Sequence, residues 1–268
     1  MTVPFIKAHG AGNDFLLTWT GDAPANRLAE TARAICDRHT GVGADGWLLV
    51  DPARSPKADA AIRLFNADGS EPELSGNGTR CAAAFLMNAG VVAGGEMRIA
   101  TGAGVKHLRL VERDGLHFRF EMNMGRPAFA EADLRLELPL GDGTRQVAAL
   151  SVGNPQCAVF VDDFDWDWRR LGAEIEGHPH FPNRTNVSFV RRVDAHTLDV
   201  RFFERGVGET MSSGTGSTGA AAAAVLRGVA ESPLRVLTPA GPIEVRWEGD
   251  IYLTGPAVIV AGGEFYTS

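Results

Sequence analysis

Phe65-Asn-Ala-Asp-Gly-Ser-Glu-Pro-Glu-Leu-Ser75-Gly-Asn-Gly-Thr-Arg-Cys-Ala-Ala-Ala84 and Phe203-Glu-Arg-Gly-Val-Gly-Glu-Thr-Met-Ser-Ser213-Gly-Thr-Gly-Ser-Thr-Gly-Ala-Ala-Ala222 align without a gap at an offset of 138 residues. The Phe, the Glu at Glu71 and Glu209, the Ser-Gly-x-Gly and the Ala-Ala-Ala all coincide. At a slightly different offset Gly12-Asn13 meets Gly153-Asn154. Half of the 268 residues is 134, so the simplest reading is a duplicated domain with its boundary near Gly125-Arg-Pro127.

Each copy reads as a strand, a Gly-rich loop and an apolar helix. Ser75 and Ser213 stand just before the helices start. The Gly-x-Gly behind each serine leaves backbone N–H groups uncovered at a helix N-terminus, where partial positive charge and free donors favour an anion. Cys81 to Leu86 and Ala220 to Leu226 are apolar on every side, which predicts buried helices. If the halves face each other, both tips meet at one cleft. A blander reading stands beside this one: each serine is an N-cap and each glycine a turn. Gly214-Thr-Gly-Ser-Thr-Gly219 also matches G-x-G-x-x-G. The dinucleotide fingerprint, however, needs that loop directly after a strand. Here the strand ends near Phe203 and the sister copy lacks the third Gly, so nicotinamide binding is set aside.

Outward from these stretches, short strands are predicted at Phe15 to Trp19, Trp47 to Val50, Ala61 to Phe65, Val105 to Val111, Leu116 to Met122, Cys157 to Val161, Asn186 to Val190, Thr197 to Phe203 and Ile251 to Leu253. Arg113-Asp-Gly115 is a hairpin signal. Helices are predicted at Asn26 to Asp37, Thr79 to Ala89, Asp167 to Glu174 and Thr215 to Arg227. Strands dominate and helices interrupt them singly, so the class is α+β rather than a regular βαβ wind.

Composition narrows the function classes. Lys+Arg is 26 against 33 Asp+Glu, a net charge of -7, with no basic cluster, which argues against nucleic-acid binding. Gly stands at 32 of 268, about twelve per cent against a usual roughly seven, an excess that points to tight turns and close backbone approach. Cys36, Cys81 and Cys157 are few, odd in number and far apart, which fits a reducing, cytoplasmic compartment. No spacing suggests zinc, and His178-Pro-His180 has no third ligand, so no metal is assigned. The N-terminus carries no leader pattern. The longest apolar run, Ala220 to Leu226, falls far short of the roughly 20 residues that span a bilayer. Trp166-Asp-Trp168 reads as edge packing, and Cys81 and Cys157 as buried small residues. No Ser-His-Asp set or G-x-S-x-G elbow supports hydrolysis.

Eight stretches, in order over nearly the whole chain, resemble diaminopimelate epimerase, of the cofactor-independent amino acid racemase and epimerase superfamily. They are Lys7 to Phe15, Asp37 to Asp45, Phe65 to Glu71, Gly76 to Cys81, Asn123 to Gly125, Gly153 to Cys157, Glu204 to Thr210 and Leu253 to Ala257. The resemblance implies two pseudo-symmetric halves, residues 1–126 plus 257–268 and residues 127–256. Each is a curved mixed sheet wrapped around a central apolar helix, with a cleft between them. It implies inversion of the α-carbon of LL-diaminopimelate to the meso form, on the route to lysine and peptidoglycan. No cofactor is implied. The partner is a small amino acid, not nucleic acid or membrane, and the family is often dimeric. By position, Gly76, Asn77, Gly214 and Thr215 would hold the α-carboxylate. Asn13, Asn66, Asn154, Asn186, Glu204 and Arg205 would bind the rest of the substrate, with Arg205 suited to the distal carboxylate.

The departures lie at the centre. Both proton-transfer residues of the family are cysteines, and here they are Ser75 and Ser213. A thiol ionises near roughly 8.5, whereas a serine hydroxyl needs an adjacent base. Candidate bases are Glu204, Glu71, Glu209, His9 and Asp14. Gly46 stands where the family commonly has Gln, and Gln156 where it has His. Three readings stay open: an epimerase with serines in the catalytic positions, a related racemase or isomerase, or a homologue that binds diaminopimelate without turnover.

Overall fold

The computed structural model describes residues 2–52 and 57–267. The chain folds into two compact units, Met1–Met122 with Gly255–Ser268, and Asn123–Thr254.

The first unit contains β1 (Thr2–Gly10), β2 (Asn13–Trp19), α1 (Leu28–Cys36), β3 (Gly46–Asp51), β4 (Ala60–Asn66), α2 (Gly76–Asn88), β5 (Glu96–Thr101), β6 (Gly104–Asp114) and β7 (His117–Gly125). These strands neighbour one another in chain order. The β2–β3 and β4–β5 steps are parallel and the others antiparallel. A parallel step needs a crossover, and α1 and α2 supply the two. The last strand of the chain (Asp250–Tyr266, β16 by its place in the order given below) runs back along β1, with Thr2 opposite Tyr266 and His9 opposite Val258. The same strand neighbours β7. The strands of this unit therefore close on themselves.

The second unit contains β8 (Leu136–Leu140), β9 (Gly143–Ser151), β10 (Pro155–Phe160), α3 (Trp168–Glu176), β11 (Asn186–Asp194), β12 (Thr197–Glu204), β13 (Gly208–Thr210), α4 (Gly214–Leu226), β14 (Leu234–Thr238), β15 (Gly241–Glu248) and the start of β16. Its strand order is β8-β9-β10-β11-β12-β14-β15-β16, with parallel steps at β10–β11 and β12–β14. The parallel steps and the crossover helices fall at the same places as in the first unit. The short β13 is an addition that pairs with β12.

Burial explains why each unit has one helix inside its curved sheet and one outside. The central helices touch strand after strand: α2 meets β1 to β5, and α4 meets β9 to β12, β14 and β15. Only small side chains let strands close around a helix, and both helices are rich in Ala and Gly. Residues Gly76 to Leu86 of α2 and Gly214 to Ala224 of α4 are all buried. The outer helices are amphipathic. Ala32, Ile35 and Cys36 of α1 pack on Leu16, Trp47, Leu49 and Phe65. Trp168, Leu171 and Ile175 of α3 pack on Cys157, Val159, Val187 and Phe189.

The structure corrects several expectations. Trp168 is no edge residue: it is 3% exposed and sits in the core under α3. The final strand spans 17 residues rather than three, because its far half is held by β1. The structure adds β1, β5, β8, β9, β13, β14 and β15 to the strands expected from the sequence. Both central helices begin at their first glycine, so the Gly-x-Gly belongs to the first helical turn instead of the loop. The literal G-x-G-x-x-G at 214–219 is helical throughout. Its glycines make room for neighbours: a Cβ on Gly219 would lie 2.8 Å from Gln156 Cγ, and one on Gly216 2.8 Å from Phe202 Cδ1.

Candidate active site

In the first unit, Ser75 is the N-cap of α2. Its backbone is extended, and its Oγ accepts from Gly78 N at 3.1 Å. Asn77 Nδ2 donates to Asn13 Oδ1 at 3.3 Å, and Asn13 Nδ2 donates to Asp45 Oδ2 at 2.7 Å. Asn13 is aimed by the turn between β1 and β2, where Ala11 and Gly12 both take positive φ, 50° and 77°. A Cβ on Gly10 would come within 3.2 Å of Asn77, so this strand end also has to be bare. Behind Asn77 lies Arg80, fully buried, which donates through Nη2 to Asn77 Oδ1 and through Nε to the Pro256 carbonyl at 3.2 Å.

The second unit repeats this plan with different chemistry. Ser213 caps α4 by accepting from Gly216 N at 3.0 Å, and its own hydroxyl donates to Glu204 Oε2, also at 3.0 Å. Glu204 Oε1 accepts from Thr210 Oγ1 at 2.7 Å, which fixes the carboxylate. Asn154 Nδ2 donates to Thr215 Oγ1 at 3.3 Å, the counterpart of the Asn77–Asn13 contact. Gln156 Nε2 donates to Asn154 Oδ1 at 2.7 Å. Asn186 accepts from the Arg205 backbone N–H and donates to the Pro155 carbonyl, both at 3.0 Å.

Of the five candidate bases, Glu204 alone reaches a serine. Glu71 is held by Arg63 and Glu209 by Arg169. Burial pushes the Asp14 carboxyl up, but hydrogen bonds and charge from Arg38 and Lys7 outweigh it and hold the group below the usual carboxylate value. His9 Nδ1 accepts from Gly12 N. Position 66, the sister of 204, is Asn, and its Nδ2 turns to Ser70 Oγ instead of to the tip. Among the described residues, Ser75 Oγ has no carboxylate partner. The guanidinium of Arg205 is exposed and bonds the Asn183 carbonyl at 3.1 Å.

Gly46 fits the backbone here: a Cβ would stand 2.9 Å from the Phe65 carbonyl oxygen and 3.1 Å from Leu64 Cδ1. A cavity of about 310 Å³ lies beside Ser75, lined by Leu48, Ile62, Leu64, Leu74 and the Arg63–Glu71 pair. The counterpart of Leu64 is the larger Phe202, which packs against Gly216 in the second unit. Burial pushes the Cys36 and Cys81 thiols up to about 12 and Cys157 higher still, which removes all three as nucleophiles at neutral pH. Both ring nitrogens of His178 are engaged by the Pro139 carbonyl and the His180 amide. Sequence reasoning missed Thr210, Asp45 and Arg80 as parts of the site. Each lies inside a quoted motif, but only tertiary contact gives it a partner.

Comparison with known proteins agrees with this plan. The family model for diaminopimelate epimerase matches residues 5–130 and 148–260. A diaminopimelate epimerase of Azoarcus sp. strain BH72 is 40% identical, covering 98% of this chain and 99% of its own. One from Pelotomaculum thermopropionicum is 39% identical over 97% of this chain and 98% of its own. Among solved structures, a hydroxyproline epimerase from Agrobacterium vitis with bound trans-4-hydroxy-L-proline superposes at TM-score 0.74, with 18% identity over 98% of this chain and 92% of that one. A methylitaconate-delta-isomerase superposes at 0.69, with 16% identity over 98% of this chain and 95% of that one. At such identities these two structures speak for the fold alone. Among the described residues, no helix is long and apolar enough to cross a membrane.

Proposed function

The chain belongs to the diaminopimelate epimerase family, and from that premise we propose that it interconverts LL- and meso-diaminopimelate, with Ser75 and Ser213 in the two proton-transfer positions. The observation that carries this reading is the Ser213–Glu204 bond at the α4 tip. A serine hydroxyl abstracts a carbon-bound proton only if its own proton has somewhere to go. Glu204 is that acceptor, already within hydrogen-bond distance and steadied by Thr210.

Ser213 Oγ takes the α-proton while its own proton passes to Glu204 Oε2. The electron pair of the C–H bond moves into the α-carboxylate, where the N–H groups at the helix tips stabilise the developing charge. Inversion then requires delivery of a proton to the opposite face, the role assigned to Ser75, whose alkoxide recovers a proton from solvent while Glu204 returns the one it took to solvent. Gly76, Asn77, Gly214 and Thr215 hold the α-carboxylate. Asn13, Asn66, Asn154, Asn186, Glu204 and Arg205 read the rest of the substrate.

Solvent deuterium exchange tests the reading. Because Ser213 has a carboxylate partner and Ser75 has none among the described residues, α-exchange is expected to be faster from the stereoisomer whose α-hydrogen faces Ser213 than from the other. Ser75→Cys with Ser213→Cys is expected to raise exchange by orders of magnitude, since a thiolate forms far more readily than an alkoxide. Tight calorimetric binding with no exchange from either isomer would turn the assignment to a binding protein. Exchange confined to a different amino acid would turn it to a related racemase.

A further inference from the structure

The two tips are copies, yet one hides a charge. Arg80 sits in the second turn of α2, on a helix whose N-terminus already carries partial positive charge. Helical side chains lean toward the N-terminus, and this one reaches Asn77 at the tip. It is 0% exposed. Nε donates to the Pro256 carbonyl and Nη2 to Asn77 Oδ1, while Nη1 has no partner among the described residues. Among the described residues no carboxylate pairs with the guanidinium. The neighbouring Cys81 thiol is protonated at neutral pH. Burial pulls the guanidinium down to about 10, so it keeps its proton and its charge.

A buried cation with neutral partners only, placed at the positive end of a helix, is unfavourable for the free protein on two counts. Nothing of the kind stands at the sister position, where Thr218 returns its hydroxyl to the Gly214 carbonyl. Gly255 leaves room for the guanidinium: a Cβ there would lie 2.9 Å from Arg80 Cζ. Asn77 joins the charge to the tip, because the amide that accepts from Arg80 turns its Nδ2 to Asn13. Polarised by the guanidinium, that amide is a stronger donor.

We propose that Arg80 is a positioning residue for an anion: its buried guanidinium, acting through Asn77, makes the α2 tip the stronger carboxylate-holding tip of the two, and the ligand carboxylate is its counter-ion. The inference rests on the reading above only for the identity of the ligand, a carboxylate-bearing amino acid.

The test compares the full chain with Arg80→Gln, which can still donate to Asn77 but carries no charge, and with Arg80→Lys, which keeps the charge. Binding of meso-diaminopimelate and of acetate is followed by calorimetry and thermal shift. Arg80→Gln is expected to weaken binding of both probes about tenfold, the size of one charge interaction in a partly desolvated site, while the ligand-free protein melts no lower than the parent. Arg80→Lys is expected to restore part of the affinity. A purely structural residue would do the reverse, lowering the melting temperature of the free protein and sparing affinity in the folded fraction. Affinity within twofold of the parent overturns the proposal. If neither variant folds, 15N-arginine spectra of the unsubstituted chain decide. Arg80 signals that shift and exchange more slowly on saturation support it, and unmoved signals overturn it. If the parent binds acetate but not diaminopimelate, the substrate assignment falls and this inference stands. If it binds neither, both fall.

Discussion

Glu204 and Asn66 occupy the same place in the two copies, and that single difference separates the two serines. Glu204 is tied to both Ser213 and Thr210, so its carboxylate is held where it can take the serine proton. Asn66 cannot act as a base. Glu204→Gln preserves the size and most of the hydrogen bonding but removes proton acceptance. It is expected to slow α-exchange about 10²-fold, at the lower end of general-base contributions, and to weaken binding by less, since Glu204 is one of several residues assigned to the substrate and the amide keeps its shape. Parallel exchange and calorimetry measurements check the split. At Asp14 the prediction concerns pH. The folded-state carboxyl lies below its unfolded value, so its contribution to stability is present above the unfolded pKa and is lost as pH falls through the folded one. Asp14→Asn should therefore lower the urea midpoint at pH 7, and the gap to the parent should close as pH falls below about 4. A gap that stays constant down to pH 2 would remove Asp14 from the acid response.

The elements that matter most are the two central helices, and their caps give Ser75 and Ser213 a second duty. Each Oγ accepts from the third helical N–H, Gly78 or Gly216. The bland reading of these serines as N-caps is therefore true in both copies. It does not compete with proton transfer, because the hydroxyl still has a proton to give, and at Ser213 that proton already points to Glu204. The two duties can be pulled apart. Ser75→Ala and Ser213→Ala should each cost about 1 kcal/mol of stability as lost caps. Ser→Cys at either position should also lose stability, since sulfur is a weak acceptor, while exchange rises. Stability and activity moving in opposite directions, by urea denaturation and deuterium exchange, is the signature expected. A variant that gains both would show that the cap contributes nothing.

At the scale of the molecule, two copies of one strand order were joined end to end, and the last strand was sent back to the first unit. Residues 258–266 of β16 pair with β1, and Ala257 and Ile259 are buried there. Removing residues 257–268 would leave the edge of β1 that they cover unpaired, and exposed edges recruit other chains. The truncated chain is expected to aggregate and to lose a large part of its melting enthalpy; a monodisperse product with an unchanged melting temperature would contradict this assignment of the strand. Much of this architecture was legible in the sequence. The 138-residue offset, the apolar stretches Cys81 to Leu86 and Ala220 to Leu226 and the strand-rich α+β class follow from local composition and period, because a helical stretch with no polar face has to be surrounded. Ser75 and Ser213 stood out for the same reason: the pattern around them occurs twice. Strands such as β5 and β14 did not stand out, because each is short and sets a charged residue, Arg98 or Arg235, between its buried apolar ones. The partners of the polar residues were equally hidden. Four acids and His9 were open as bases for the serines, and only distance selected Glu204 and committed Glu71, Glu209 and Asp14 to arginine or lysine. Arg80 read as one more residue of a helix until packing showed it buried without an acid. Sequence alone determined the repeated elements and the chemistry on offer. Tertiary structure decided which groups meet, because hydrogen bonds and charge pairs act over a few ångströms and residues close in space are often far apart in the chain.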